Sequence, residues 1–283
     1  MTNSSAAAEP LPFVYSGKQT AEIRGCVSVI IPVFNEAGSI ARLIQLVSET
    51  LVPKEIVVID DGSTDGTREV LAECQELFEI RLVVHEENRG KGAAIVSGLK
   101  HARGEFVLIQ DADLEYDPQD YPALLEPLRL RQTNVVYGVR PDRPERGLSW
   151  YLGAKFLTRL ANFLYGCNIQ DEATCYKAFR RSTLSRIRLK CRRFEFCPEV
   201  TAKMSRIGED IWEVPISYYP RTTKEGKKIR WTDGVQAIWT LLRYRIEPRN
   251  RFIAADRFLK KPKSKPHNGE EHALPLISAD KRR

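Results

Sequence analysis

Two acidic clusters and one glycine-rich basic turn carry the recognisable chemistry of this 283-residue sequence. Asp111-Ala112-Asp113 follows the apolar run Phe106–Ile109. In an extended segment residues two apart share a side, so both carboxylates can face one site. Open α/β sheets bind ligands beyond the carboxyl ends of their strands. Hard divalent cations such as Mg²⁺ take carboxylate oxygens and keep positions open for phosphate oxygens. Glu115, two residues on, can add a third oxygen. Such triplets are common in surface turns, and the place behind an apolar strand sets this one apart.

The second cluster, Asp60-Asp61-Gly62-Ser63-Thr64-Asp65-Gly66-Thr67, also follows an apolar run. Its glycines, Asx and hydroxyl side chains suit a tight turn and a helix cap, which accounts for Ser63 through Thr67. Capping leaves Asp60 and Asp61 unexplained, because adjacent carboxylates repel unless one binds something, such as the N–H donors of a base or ribose hydroxyls. The turn Asn88-Arg89-Gly90-Lys91-Gly92 opens a helix. Its backbone N–H groups, helix dipole and two cations suit a phosphate. Ile95 stands where a third glycine would complete a dinucleotide fingerprint, and no Walker A pattern is present. A P-loop NTPase and a nicotinamide dehydrogenase are therefore disfavoured.

These residues need strand ends and helix starts to hold them. From Cys26 an apolar run followed by a helical period repeats, the sign of strands and helices alternating around a largely parallel sheet. Strands are expected at Val27–Pro32, Glu55–Ile59, Ile80–Val84 and Phe106–Ile109, and helices at Ala37–Thr50, about 67–77 and Gly90–Ala102. Beyond about residue 120 the pattern changes: a strand at Asn134–Tyr137, an amphipathic helix at Leu148–Leu164, a strand-rich section with Ile211–Tyr219 clearest, and a last amphipathic helix over 234–246, stopped by Pro248. Residues 1–24 read as a flexible lead-in, 25–246 as the folded domain and 247–283 as a basic tail.

Composition narrows the class. Hydrophobic residues are 42% and charged residues 29%, ordinary for a globular protein. The longest apolar run, Cys26–Phe34, is interrupted by Ser28 and Pro32 and falls far short of a membrane span. The opening MTNSSAAAEP lacks a basic region followed by an apolar one, so a cytoplasmic protein is expected. Of 44 Lys/Arg and 37 Asp/Glu, 10 and 5 fall in residues 247–283, which leaves 34 and 32 for a nearly neutral body. That balance disfavours a dedicated nucleic-acid binder and fits a tail on an anionic membrane surface or in solvent. The cysteines at 26, 74, 167, 175, 191 and 197 form no C-x-x-C pair and read as reduced structural thiols. His85 and His101 read as surface residues. Trp150, Phe156, Leu160 and Phe163 recur at near-helical spacing beside Lys155 and Arg159. Core packing is the default for such a stripe, and a helix at a membrane interface has the same pattern. Trp231, Trp239 and Tyr244 pose the same choice.

Val29-Ile30-Ile31-Pro32-Val33-Phe34-Asn35-Glu36, then the Asp60 cluster, the Asn88 turn and Asp111-Ala112-Asp113 resemble the four ordered blocks of inverting family-2 glycosyltransferases. The C-terminal half is most similar to the dolichol-phosphate mannosyltransferase-like branch, through Gly138-Val139-Arg140, Asp171-Glu172-Ala173-Thr174-Cys175-Tyr176-Lys177, Phe194-Glu195-Phe196 and Glu213-Val214-Pro215-Ile216-Ser217-Tyr218. The similarity continues through Tyr219-Pro220-Arg221 and Glu225-Gly226-Lys227-Lys228-Ile229. The resemblance covers about residues 26–246 and implies the GT-A nucleotide-sugar-binding fold, an α/β architecture with a mostly parallel central sheet flanked by helices and C-terminal amphipathic helices. It implies that Pro32, Phe34 and Glu36, with Asp60 and the neighbouring Asp61, hold the nucleotide of a GDP- or UDP-hexose, and that Lys91 lies near its diphosphate. Asp111, Asp113 and Glu115 would hold Mg²⁺ or Mn²⁺, with Glu115 where close relatives often carry Gln. Arg140 would meet an acceptor phosphate, helped by Arg221 and Lys227 in the basic stretch Lys224–Arg230. The transmembrane pair that many members append is missing from this sequence.

The chemistry agrees with that assignment. A metal held by carboxylates stabilises departing phosphates as a Lewis acid. A phosphate monoester acceptor is largely ionised at neutral pH, so Arg140 suffices to orient it. The expected product is then a polyprenyl-phosphate hexose, made at the cytoplasmic face of a membrane. A hydroxyl acceptor would instead need a carboxylate base, with Asp171 first and Glu172 second. A non-catalytic nucleotide-sugar sensor is the remaining alternative, and the intact acidic triplet weighs against it.

Overall fold

A computed structural model describes residues 22–141, 148–221 and 231–254 of the chain. Its first strand, β1 (Ile23–Val33), shows why the sheet is central. Val27, Val29, Ile31 and Val33 enter one buried cluster and Ile30 enters another, so both faces of the strand are covered. A near-continuous apolar run is what a strand buried on both sides requires. β2 (Lys54–Asp60), β3 (Ile80–Val84) and β4 (Gly104–Ile109) run parallel to β1 in the spatial order β3-β2-β1-β4. Beyond β4 lie β6 (Lys177–Arg180), β5 (Val135–Val139) and β7 (Ile211–Pro215). β6 is antiparallel to both its neighbours, and β5 and β7 pair in parallel.

Helices α1 (Ile40–Glu49), α2 (Thr67–Leu77) and α4 (Tyr121–Arg129) cover one face of the sheet. On the other lie α3 (Lys91–Leu99), the single turn α6 (Arg181–Leu184) and α7 (Phe196–Arg206). α5 (Leu148–Tyr165) and α8 (Trp231–Ile246) pack on α7 around Ala161, Ala202 and Leu241. The winding direction changes between β1 and β4, which opens a crevice at their carboxyl ends. This is where an open α/β sheet takes its ligand.

The mostly parallel sheet and its flanking helices are as expected, with differences in the second half. The strand-rich section expected after residue 165 holds only β6 and β7 among the described residues, and α7 lies between them. Phe196, Val200 and Thr201 lend that segment strand-like propensity. Burial of Val200 and Met204 against the sheet, and an ion pair between Glu199 and Lys203 one turn apart, favour the helix. α4 carries Pro122 in its first turn, where no hydrogen bond is lost, and Pro127 inside it. Those prolines hide its period in the sequence. At the ends, β1 begins at Ile23, ahead of the expected domain start at 25. The packed chain also continues past 246: Phe252 is fully buried and Ile253 bridges Ile187.

Replacing Phe252 by Ala removes a buried aromatic that packs edge-on against Tyr244. It is expected to lower the unfolding free energy by about 3–5 kcal/mol in urea titrations. A change below about 0.5 kcal/mol, the range of an exposed site, would put Phe252 outside the cooperative unit.

Candidate active site

A cavity of about 1170 Å³ opens at the carboxyl ends of β1 and β4. Pro32, Phe34, Glu36, Asp61, Lys91, Asp111, Asp113, Glu115, Arg140 and Arg221 all line it, so most of the residues singled out in the sequence converge. Asp60 and Asp171 do not line it. Lys227 and the rest of Lys224–Arg230 fall outside the described residues.

The two adjacent aspartates are separated by the work they do inside the protein. Asp60 is fully buried and accepts Arg68 Nε at 3.0 Å and the Ser63 amide at 3.0 Å. Asp61 accepts the amides of Arg89 (3.0 Å) and Gly90 (2.7 Å) and contacts His85 Nδ1 at 2.7 Å. His85, expected at the surface, is therefore buried, with its Nε2 2.9 Å from Ser97 Oγ. A carboxylate of the protein already sits at the amino end of α3, where a phosphate was anticipated. The next amides are also used, since Gly92 N and Ala93 N donate to Arg193 O and Arg192 O. Gly90 has φ +94°, and a Cβ there would lie 2.4 Å from Arg192 O. The turn's glycines thus permit contact with the 191–193 loop, and Lys91 is the group they leave facing the cavity.

Ser63 and Thr67 have a different task from the expected helix cap. α2 begins on Gly66, which has no side chain to cap with, and Asp65 Oδ1 alone of the expected residues serves the helix start, accepting the Thr67 amide at 3.1 Å. Ser63 Oγ instead accepts Asn35 N at 3.0 Å, Thr67 Oγ1 accepts Glu36 N at 2.9 Å, and Asp65 accepts Ala37 N at 3.2 Å. Asn35 returns a bond by accepting the Thr64 amide at 2.9 Å and adopts a left-handed conformation, φ 52°. The loop after β1, which carries Phe34 and Glu36, is fixed by the loop after β2.

Asp111 pairs with Lys91 at 2.5 Å, and Lys91 Nζ also lies 2.8 Å from Cys175 Sγ. Burial works against the lysine's charge, but the Asp111 carboxylate together with the Cys175 and Cys197 sulfurs outweighs it and holds Lys91 well above the usual range. Asp113 is pushed up to about 7, first by burial and then by the charges of Asp111 and Glu115. Such crowding of carboxylates is relieved by a divalent cation, so Asp111 and Asp113 fit one. Glu115 fits less well: its oxygens accept Tyr218 OH and Arg221 N, both at 2.8 Å. Among the described residues no cluster of three or more His, Cys, Asp or Glu has the arrangement of a metal site. Two carboxylates plus substrate phosphates is a normal set for Mg²⁺-like ions.

On the far wall, Arg140 and Asp171 meet in a two-pronged pair, Nε to Oδ2 and a terminal nitrogen to Oδ1, both 2.7 Å. Burial would raise the Asp171 carboxyl, but Arg140 holds it below the ordinary range. An ion-paired carboxylate turned away from the cavity is a poor base. Arg221 reaches across to Glu36 at 2.9 Å, so a residue assigned to the acceptor side touches one assigned to the nucleotide. Sequence reasoning missed the tyrosines beneath these groups. Tyr116 stacks on Tyr176 at 4.6 Å and lies 5.2 Å from Tyr218, over which Arg140 also lies at 5.2 Å. The run Ile216-Ser217-Tyr218-Tyr219 was the available signal.

Burial moves Glu172 up to about 8. Its Oε1 accepts Thr201 Oγ1 at 3.3 Å, while Oε2 has no hydrogen-bond partner among the described residues.

α5 and α8 form the outer wall through Phe156, Leu157, Trp231 and Ile238. Each helix has two apolar stripes. On α8, Ala237, Leu241 and Tyr244 are buried, while Trp231, Val235, Trp239, Leu242 and Ile246 are exposed at spacings of four, four, three and four. On α5, Ala161 is buried and Leu152, Phe156 and Phe163 are exposed. Packing therefore explains one stripe and leaves the other uncovered; the Trp150 side chain is outside the described residues. No helix among the described residues is long and apolar enough to cross a membrane. All six cysteines are free thiols, as expected.

Comparison with known proteins identifies the blocks. A model of the family described as glycosyl transferase family 2 matches residues 28–188. The chain is 29% identical over 208 residues to the low-salt glycan biosynthesis hexosyltransferase Agl6 of Haloferax volcanii, covering 71% of this chain and 49% of that one. It is 29% identical over 194 residues to the dodecaprenyl-phosphate galacturonate synthase of Rhizobium johnstonii, with 65% and 57% covered. The chain thus spans about half the length of these curated relatives. Among solved structures, glucosyl-3-phosphoglycerate synthase of Mycobacterium tuberculosis, with Mn²⁺, UDP-glucose and phosphoglyceric acid, superposes with a TM-score of 0.63 at 24% identity, covering 79% of this chain and 80% of that one. The mannosyltransferase PcManGT of Pyrobaculum calidifontis, with GDP-Man and Mn²⁺, gives 0.50 at 26% identity, over 70% and 57%.

The Glu172 carboxyl yields a pH test. A carboxyl whose folded pKa is raised binds its proton more tightly in the native state, so its contribution is full below the unfolded value and is lost as pH rises through about 8. Glu172→Gln removes that dependence. Its stability relative to the parent is expected to climb between pH 5 and 8.5 by a few kcal/mol, since each unit is about 1.4 kcal/mol. Parallel pH curves for the two proteins would refute the buried, neutral carboxyl.

Proposed function

The chain belongs to glycosyl transferase family 2 and has the GT-A fold, and on that premise we propose that it is a metal-dependent inverting hexosyltransferase. The donor is a GDP- or UDP-hexose, and the acceptor is a polyprenyl phosphate at the cytoplasmic face of a membrane. One observation carries this reading. Asp111 and Asp113, Arg140 and the apolar wall of α5 and α8 all line one cavity. An acidic pair for a cation on the diphosphate, a fixed guanidinium for a second phosphate and an apolar flank for a hydrocarbon tail thus share one cavity.

Asp111 and Asp113 would hold Mn²⁺ or Mg²⁺, which would supply Lewis-acid stabilisation of the departing diphosphate. Lys91, held at Asp111, adds a positive charge on the same side. Pro32, Phe34, Glu36 and Asp61 line the portion assigned to the nucleotide. Asp60 serves that portion indirectly, through the Ser63 amide in the loop that braces Asn35. Arg140 orients the acceptor phosphate, with Asp171 fixing the guanidinium and Arg221 nearby. The bond between the anomeric carbon and the diphosphate oxygen breaks as an acceptor phosphate oxygen bonds from the opposite face. The acceptor is already ionised, so the step needs no proton removed. A hydroxyl acceptor would need Asp171 as a base, and its pairing with Arg140 disfavours that reading.

The exposed stripes of α5 and α8 support a peripheral seat on a lipid surface, with Lys155, Arg159, Arg243 and Arg245 on the same two helices suited to anionic headgroups.

Incubation of the full chain with Mn²⁺, a short polyprenyl phosphate and a panel of GDP- and UDP-hexoses is expected to give one lipid-linked hexose by mass spectrometry. Asp113→Ala and Arg140→Ala should each lower turnover at least 100-fold, and Asp171→Asn no more than about tenfold. The reverse ranking of Arg140 and Asp171 would favour a hydroxyl acceptor. In co-sedimentation with vesicles containing anionic lipid, the double variant Phe163→Ser/Trp239→Ser should bind at least fivefold less with an unchanged Tm. Equal binding would count against the lipid-facing stripes.

A further inference from the structure

We propose that Cys175 and Cys197 form a modification site on the wall of the cavity, where hydrogen peroxide joins them in a disulfide and a dithiol reopens it. The site itself rests on the placement of the two thiols, and its effect on ligand binding rests on the nucleotide reading above.

Cys175 lies just ahead of β6, and Cys197 lies in the first turn of α7. Both line the cavity and both are part-exposed. Cys197 Sγ donates to the carbonyl of Thr174, the residue before Cys175, at 3.4 Å, and the two thiols are within hydrogen-bonding reach of each other. Lys91 Nζ lies 2.8 Å from Cys175 Sγ on the same wall. The remaining sulfurs are placed differently. Cys26, Cys74 and Cys191 are buried. Cys167 is part-exposed, but it donates to Asn162 Oδ1 at 3.3 Å and does not line the cavity. Of the six cysteines, Cys175 and Cys197 alone combine access from the cavity with a thiol neighbour.

Reaction with a peroxide needs a thiolate, and cations or a helix amino end beside a thiol favour one. When Cys197 gives up its proton, the Cys175 S–H can donate to the thiolate, Lys177 and Lys91 supply positive charge, and the sulfur sits at the amino end of α7. The Cys197 thiolate attacks one oxygen of hydrogen peroxide, the O–O bond breaks, and Cys197 becomes a sulfenic acid. The departing hydroxide takes up the proton that Cys197 released and leaves as water. The Cys175 sulfur then bonds to the sulfenic sulfur and displaces its hydroxide, which leaves with the Cys175 proton as a second water. Two thiols are oxidised to one disulfide and the peroxide is reduced to two waters. A pair that is reduced at rest and closes only on oxidation acts as a sensor rather than a staple. Closing it draws the Cys175 sulfur toward α7 and removes the thiol that Lys91 contacts. Lys91 also holds Asp111, so the side of the cavity assigned to the diphosphate changes with the oxidation state.

The test treats the full chain with hydrogen peroxide and reads two quantities. Peptide mapping by mass spectrometry is expected to show one cross-link, Cys175 to Cys197, that dithiothreitol removes, while Cys26, Cys74, Cys167 and Cys191 stay free. Calorimetry with Mn²⁺ and GDP or UDP is expected to show the tighter-binding nucleotide held about fivefold more weakly after oxidation, with the affinity restored by dithiothreitol. Cys197→Ser should form no cross-link, and peroxide should change its nucleotide affinity by less than about 1.5-fold. The peptide map of the parent protein needs no variant to fold. Oxidation of Cys167 as fast as the pair, or over-oxidation of Cys197 without a cross-link, overturns the modification site. A cross-link that leaves nucleotide affinity unchanged overturns its effect on the cavity. Reduced protein that binds neither GDP nor UDP counts against the nucleotide reading, and the peptide map then still decides the thiol site.

Discussion

A buried carboxylate, Asp61, accepts two backbone N–H groups of the 88–92 turn and holds His85, and the placement of Lys91 follows from that. Hydrogen bonds to a charged acceptor contribute about 1.5–3 kcal/mol each, more than the roughly 1 kcal/mol that a glycine's lost freedom costs. The turn therefore keeps its left-handed Gly90 and its contact with residues 191–193. α3 starts where that turn leaves it, and its first residue reaches Asp111 on β4's loop. Loops after β2, β3 and β4 are thus connected through two side chains, Asp61 and Lys91.

A second constraint is charge. Lys91, Arg140 and Arg221 line the cavity, and each has a carboxylate partner: Asp111, Asp171 and Glu36. These pairs keep the cations in place before any phosphate arrives. They also separate the acidic residues by function. Asp113 keeps a raised pKa because no comparable pairing offsets its burial, whereas Glu115 and Asp171 are occupied in holding the protein's own groups.

Much of this was legible in the sequence. Strand ends followed by Asp60-Asp61, by Asp111-Ala112-Asp113 and by Arg140 were readable because apolar runs mark strands and a parallel sheet gathers their carboxyl ends. The direction in which Asp60 and Asp61 face was not, since neighbouring residues on a strand point to opposite sides and only tertiary structure shows which side is occupied. The amides of the Asn88 turn looked available because their acceptors, Arg192 O and Arg193 O, lie about a hundred residues away. His85 read as exposed for the same reason: Asp61 and Ser97 flank it only in the fold. α4 and α7 were obscured by proline and β-branched residues whose local preference is overridden by burial. The stripes of α5 and α8 were visible as periodicity, but one sequence pattern cannot divide apolar residues between core and surface.

The strap formed by residues 218–221 has a consequence for recombining such proteins. Glu115 accepts Tyr218 OH and Arg221 N, its carbonyl accepts Tyr219 N, and Arg221 continues to Glu36. Three segments far apart in the chain therefore behave as a single heritable module. A chimera that exchanges the region after β7 to obtain a new acceptor preference would also carry away the partner of Glu36 on the nucleotide side. Crossovers that move residue 115 and residues 218–221 together preserve the match, whereas those that split them must re-evolve it from both sides.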